Sequence, residues 1–135
     1  MATITKFEDL EIWQLANQQT VDFDLVVETT PLVKDYELRN QINASSGSVM
    51  DCIAEGFERS FNQEFRNFLV MAKGSNSEYR SQLYRCLNRK YIAQGKFDEL
   101  YNKNIKPGNK TMSFINYLQH SNYKGQSRKP NESSA

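Results

Sequence analysis

The stretch from Gln41 to Leu83, QINASSGSVMDCIAEGFERSFNQEFRNFLVMAKGSNSEYRSQL, most constrains what this chain can fold into. Its first part sets Ile42, Val49, Ile53 and Phe57 on one apolar line, with the small residues Ala44, Ser45, Ser46, Gly47 and Ser48 set into it. Its second part opens a three-four repeat: Phe65, Phe68 with Leu69, Ala72, Asn76, Tyr79, Leu83, then Cys86 with Leu87. That is the seam pattern of a helix bundle. Two long helices follow, and each has an apolar stripe that only a neighbouring element can bury. Three prolines and six glycines in 135 residues leave the rest of the chain free to form long elements too.

The flanking sequence supplies the partners. Residues 8–29 read as a first helix, because Phe7, Leu10, Trp13, Ala16, Thr20, Phe23 and Val27 recur every three or four positions. Ile12, Leu15 and Val26 widen that face, so two neighbours should contact it. Thr5 with Glu8 has the spacing of a capping box. Thr29-Thr30-Pro31 should end the helix, since the residue before proline is pushed out of helical space. A second helix is expected over residues 35–59, beginning its line at Leu38. Its small residues predict a tight helix crossing; the alternative is a locally weak helix, because glycine costs about 1 kcal/mol relative to alanine.

The third helix is expected over residues 62–94, with Gly95 as its stop. At 1.5 Å per residue it would be about 45–50 Å long, more than a compact monomer needs, which points to assembly. In the fourth helix Phe97, Leu100, Tyr101 and Ile105 start a stripe that Met112, Ile115 and Leu118 resume. Lys106-Pro107-Gly108-Asn109 lies between them, and interior proline costs about 3 kcal/mol, predicting a kink or break at Pro107. Apart from Tyr123 and Ala135, residues 121–135 lack apolar side chains and read as a disordered tail. The expected fold is all-α: an antiparallel, up-down four-helix bundle over residues 1–120 with short loops, oligomerising into a ring.

A net charge of +1 conceals an uneven distribution. Residues 1–38 carry Lys6 and Lys34 against eight acidic side chains, and residues 39–135 carry fifteen basic against eight acidic. This sorting suits intersubunit complementarity, a basic surface for an anionic partner, or pairing of helix faces within one bundle. Cys52 and Cys86 are remote from each other and read as reduced, core-facing thiols. No signal sequence or membrane-length apolar run is present, so a cytoplasmic location without membrane contact is expected.

Catalytic chemistry finds little support. The lone histidine, His120, stands beside the tail, which removes triads and Cys–His pairs. No Glu-x-x-His pair, zinc-ligand spacing or glycine-rich phosphate loop occurs. Asp51, Glu55 and Glu58 share a helical face and suit either a hydrated Mg²⁺ or a solvated, salt-bridged stripe. The expectation is a non-enzyme without metal or cofactor. Basic residues are more telling: Arg66, Lys73 and Arg80 are spaced by seven, Tyr84 and Tyr91 extend their line, and Arg85, Arg89 and Lys90 flank it. Such an array suits phosphate backbones, with aromatics to stack bases, or else a solubilising face or a partner for the acidic first helix.

SVMDCIAEG followed by EFRNFLVMAKGSNSEYRSQL, with Phe7-Glu8-Asp9-Leu10-Glu11-Ile12-Trp13 upstream, resembles the intervening-sequence protein family of bacterial 23S ribosomal RNA genes. The resemblance spans roughly residues 7–118. It departs from the family at Met50 and Cys52 (usually proline and asparagine), at Asn43 and Ala44 (often basic), at Asn76 (usually apolar) and at Arg89-Lys90 (usually Leu-Gly). It implies a non-catalytic four-helix bundle in a ring, most simply a homopentamer. The accessory variability determinants of diversity-generating retroelements are related barrels that bind a reverse transcriptase and nucleic acid; Ala-Glu-Gly and Gly-Ser place this chain nearer the intervening-sequence group. Two functions stay open: a module binding RNA or DNA through the six basic residues, and a scaffold that contacts only a protein partner such as a reverse transcriptase.

Overall fold

The structure is a computed structural model that describes residues 3–120; the tail expected over residues 121–135 lies outside the described residues. Four α-helices make up most of the described residues: α1 at Glu11–Thr29, α2 at Tyr36–Phe57, α3 at Asn62–Asn88 and α4 at Gln94–Gln119. Short 3-10 turns at Phe7–Asp9 and Pro31–Lys34 precede α1 and α2, and no strand occurs among the described residues. The helices form a bundle in which α2 packs on α3, α3 on α4, and α1 on α2 and more sparsely on α4.

The Thr5–Glu8 capping box does not form. Glu8 belongs instead to the 3-10 turn, closed by Leu10 N–H donating to the Phe7 carbonyl at 2.9 Å. Burial decides this: the turn tucks Leu10 into the core and sets the Phe7 ring edge-on to Trp13, with centroids 5.3 Å apart. The buried line of α1 is Ile12, Ala16, Gln19, Phe23 and Val26, so the helix is rotated slightly from the expected face and Trp13, Thr20 and Val27 become half-buried flanks. Thr30 is extended before Pro31, as the proline ring demands, and its hydroxyl donates to the Val26 carbonyl at 2.7 Å.

In α2, Leu38, Ile42, Val49, Ile53 and Phe57 are all buried, as their spacing predicts. The tight approach, however, is not at Gly47, beside which a methyl group would meet nothing within 4 Å. It is at Gly56, where an added Cβ would stand 2.6 Å from Phe68 Cβ and 3.0 Å from Phe65 Cδ1. Ser45 and Ser46 are buried and contribute hydroxyls: Ser45 Oγ donates to Gln82 Oε1 at 2.6 Å.

Two helix boundaries differ from expectation. α3 stops at Asn88 rather than near residue 94, so its 27 residues span about 40 Å. Lys90 takes φ 63, with Tyr91 N–H bonded to the Cys86 carbonyl at 2.9 Å and Lys90 N–H to the Leu87 carbonyl at 3.0 Å. This pair of bonds is a Schellman closure, with a lysine in the left-handed position that glycine usually fills. It turns the chain early enough for Ile92 and Phe97 to reach the core. Gly95 is no stop; it lies exposed in the first turn of α4. Nor does Pro107 break α4, which is helical on both sides of it. Proline removes one hydrogen bond, to the Lys103 carbonyl, but Asn104 beside it is bonded to α3 and both flanking apolar stretches are held in the core.

The core has two apolar clusters. One gathers Leu10, Ile12, Val49, Ile53, Phe57, Phe65, Leu69, Ile115 and Leu118; the other gathers Phe23, Leu32, Leu38, Ile42, Tyr79, Leu83, Phe97 and Leu100. On every helix a buried polar residue separates the two: Gln19, Ser45 with Ser46, Asn76 and Asn104.

Candidate nucleic-acid interface

α3 carries four of the six basic residues singled out above, Arg89 and Lys90 lie in the turn that closes it, and the fold divides the six. Arg66, Lys73 and Arg80 recur every seventh position, and of the three Arg80 is the one that reaches α4. Arg66 Nη2 donates to Gln63 Oε1 at 2.6 Å, and Arg80 Nη1 crosses to Asn104 Oδ1 at 3.0 Å while its guanidinium lies 5.8 Å from the Tyr101 ring centre. Arg85 and Arg89 turn the other way, toward α2. Arg85 Nη1 donates to Gln41 Oε1 at 2.6 Å, and Arg89 is paired with Asp35. Lys90 is exposed in the turn that closes α3. The two aromatics of the expected stripe are already engaged: Tyr84 lies 4.7 Å from the Phe97 ring, and Tyr91 donates its hydroxyl to Asp35 Oδ2 at 2.7 Å.

Charge pairing distinguishes these residues from the basic residues of α4. Lys103 lies 3.5 Å from Asp22 and 3.6 Å from Glu99, Lys96 3.3 Å from Glu99, and Lys110 3.0 Å and Lys106 3.8 Å from Glu11. On α3, among the described residues, Arg66, Lys73, Arg80, Arg85 and Lys90 form no ion pair; the partners shown for three of them are amide oxygens. An amide oxygen orients a guanidinium without neutralising it, so Arg66, Arg80 and Arg85 keep their full charge beside the partners shown for them.

Behind Arg80 lies the buried polar layer. Gln19 Nε2 donates to Asn76 Oδ1 at 3.0 Å, Asn76 Nδ2 to the Asn104 carbonyl at 3.2 Å, and Asn104 Nδ2 to Gln19 Oε1 at 2.7 Å. The expectation that Asn76 interrupts the seam is met with a bonded partner on each side. Gln19 and Asn104 were not singled out from sequence, although each sits on an apolar line, three residues after Ala16 and four after Leu100. Tyr79 next to this layer is buried, and its hydroxyl titrates well above the ordinary range because burial disfavours the phenolate and Asp22 repels it. Cys86 and Cys52 are both free, Cys86 buried and Cys52 half-buried; burial pushes the Cys86 thiol up to about 11.

Asp35 organises the other side. Its Oδ1 accepts from Leu38 N–H at 3.3 Å, capping α2, and its Oδ2 accepts from Tyr91 and Arg89. The Tyr91 hydroxyl is the largest influence holding the Asp35 carboxyl below its usual value, helped by the Leu38 amide and the Arg89 charge. Of the acidic trio in α2, Glu55 forms an exposed pair with Arg59 at 2.7 Å, and no group of three His, Cys, Asp or Glu converges as a metal would need among the described residues.

Four helices around an amide-centred core, with arginines along one of them held by amide oxygens, define a small helical-bundle protein. The chain matches the 23S rRNA-intervening sequence protein family over residues 8–123, and it belongs to that family. The bundle is similar to the crystal structure of a protein with unknown function from the S23 ribosomal protein family of Bacteroides thetaiotaomicron VPI-5482. The TM-score is 0.70 at 18% identity, covering 78% of this chain and 99% of that one, which establishes the shared fold. No curated protein matches the sequence. Gly56 explains structurally why Ala-Glu-Gly suits this bundle: the glycine admits the two phenylalanines of α3.

Proposed function

We propose that this chain is a non-enzymatic module that binds RNA or DNA through the basic surface of α3. The observation that carries the reading is the contrast in charge pairing: each lysine of α4 stands within ion-pair distance of a carboxylate, whereas Arg66, Arg80 and Arg85 are oriented by amide oxygens and keep their charge available. Contact would be largely sequence-independent, because phosphate neutralisation carries no base information. The family's association with 23S ribosomal RNA genes is consistent with an RNA partner.

The same reading includes an antiparallel, up-down course of the helices in a homo-oligomeric ring, most simply a pentamer, in the cytoplasm. Short connections support the up-down course, as does the way each core cluster draws on opposite halves of successive helices. Assembly is favoured by apolar side chains left more than half exposed, Val21 and Leu25 on α1 and Val70 and Met71 on α3, set among acidic and basic neighbours respectively. Repetition around a ring would multiply weak contacts through avidity. No helix of the described residues is long and apolar enough to cross a membrane.

The test is the salt dependence of binding to single-stranded and duplex RNA and DNA. The variant Arg66→Ala/Lys73→Ala/Arg85→Ala removes three side chains that no ion pair engages. It should flatten the slope of log K against log salt by about 2–3. An unchanged slope places the interface elsewhere. If the wild type binds neither nucleic acid at low salt, the protein-scaffold reading replaces this one. Light scattering at micromolar concentration tests the ring, and a monomer mass refutes it.

A further inference from the structure

The sparse packing of α1 on α4 leaves a groove of about 370 Å³, with Leu15 and Leu100 as aliphatic walls and Tyr79 at its base. Volumes of this order accommodate small organic molecules, and such sites combine apolar walls with a few fixed polar groups. The uncharged polar residues of the lining are Gln18, Gln19, Tyr79 and Asn102, with the Gln19 amide already bonded to Asn76 and Asn104, and the lining's carboxylate is Asp22. Asp22 is held in place: Oδ1 accepts from Gln18 Nε2 at 3.0 Å, and the side chain is only 18% exposed. The groove's cations are placed differently. Lys103 and Lys106 stand on the solvent lip with side chains 54% and 61% exposed. Lys103 shares its ammonium between Asp22 at 3.5 Å and Glu99 at 3.6 Å, so it has a second carboxylate to which it can move.

We infer that this groove binds a small organic amine, whose ammonium replaces Lys103 on Asp22 while its apolar body lies beside Leu15 and Leu100. Charge complementarity selects the class. The fixed, partly desolvated charge inside the groove is negative, and the positive charges are long, mobile and outside, so an entering anion would face Asp22 whereas an entering ammonium exchanges one ion pair for another. Tyr79 suits the same choice: its ring is buried and its hydroxyl stays protonated, so the base of the groove adds no positive charge. Lys103 in this arrangement is a built-in competitor for the site.

The full-length protein would be titrated calorimetrically with phenethylamine, phenylacetate and phenethyl alcohol, three probes of similar size that differ in the charge of the head. Phenethylamine should bind saturably at millimolar concentration, at least about tenfold more tightly than either of the others. Asp22→Asn should weaken it by a similar factor, with helicity by circular dichroism confirming that the variant folds. Lys103→Ala should tighten amine binding, because the competitor is gone. Methyl resonances of Leu15 and Leu100 should shift in proportion to saturation. Absence of saturable binding, equal or stronger binding of phenylacetate, or weaker amine binding by Lys103→Ala would each overturn the proposal.

Discussion

Gly56 and Asp35 join α2 to α3 in opposite ways. At Gly56 the junction is a fit: a missing Cβ lets Phe65 and Phe68 approach, and Phe65 then meets Phe57 and Phe114 edge-on at 5.9 and 5.3 Å. At Asp35 the junction is chemistry, with one carboxylate accepting from the α2 amide of Leu38, the Tyr91 hydroxyl and Arg89. The amide layer of Gln19, Asn76 and Asn104 stands between the two clusters these junctions close. Volume should therefore govern the first region, proton and charge the second, and hydrogen-bond completeness the layer between.

The largest effect is expected at Gly56. Valine there would drive two methyl groups into space already filled by phenylalanine, costing about 3 kcal/mol or more, against which better helix propensity than glycine offers little. Urea unfolding measures it; a loss below about 1 kcal/mol, at the lower edge of overpacking costs, would mean the approach is not tight. Next comes Asn104→Leu, which strips partners from Gln19, Asn76 and Arg80 at once. Buried groups left unpaired should cost about 2–3 kcal/mol, and adding Gln19→Leu with Asn76→Leu should recover part of it. If the triple variant is as weak as the sum of its parts, the layer does not act as a unit.

Lys90→Gly should move stability the other way. The left-handed conformation costs a non-glycine residue roughly 1 kcal/mol, so glycine should stabilise by about that amount without disturbing the Tyr91–Asp35 bond. Unchanged stability would show that lysine pays no strain there. The smallest effect at neutral pH, and the cleanest separator of the two regions, is acid sensitivity. Asp35 titrates below its unfolded value of 3.8 in the native protein, so its contribution is complete above that value and is lost as pH falls through the lowered one. Glu11 is held down through Lys110 and acts in the same direction, so the comparison belongs in a Glu11→Gln background. There, Asp35→Asn should flatten the acid limb of the stability curve, while Gly56→Ala should lower the whole curve and leave that limb intact.

Much of the fold was legible because helix seams depend on spacing. Most buried residues of α2 and α3 are those their three-four repeats select, although Gln82 and Gly56 are buried unselected and Phe68 and Leu87 only half-buried; Asn76 stands out as a polar residue in an apolar line. Boundaries were less legible. Glycine is a reasonable stop signal at Gly95, yet the chain turns five residues earlier with a lysine in the glycine position, since tertiary packing of Ile92 and Phe97 outweighs about 1 kcal/mol of backbone strain. Pro107 reads as a break because sequence exposes the lost hydrogen bond but not the cross-helix bonds of Asn104 beside it. The six basic residues were visible one by one, whereas their division between the α4 and α2 flanks was not, because a seven-residue period orders Arg66, Lys73 and Arg80 but says nothing of which neighbour Arg85 or Arg89 will find.

Local pattern alone thus determined the four helices of the described residues, the main buried lines of α2 and α3, and the seven-residue spacing of Arg66, Lys73 and Arg80. Periodicity and charge are properties of a segment, and a segment carries them wherever it packs. Tertiary structure decided the rest: that Gly56 rather than Gly47 is the close contact, that Gln19 and Asn104 complete Asn76, and that the lysines of α4 meet carboxylates while Arg66, Arg80 and Arg85 meet amide oxygens. Each of those depends on which side chain arrives from another helix, and steric fit, hydrogen bonding and ion pairing act over only a few ångströms between residues far apart in the chain.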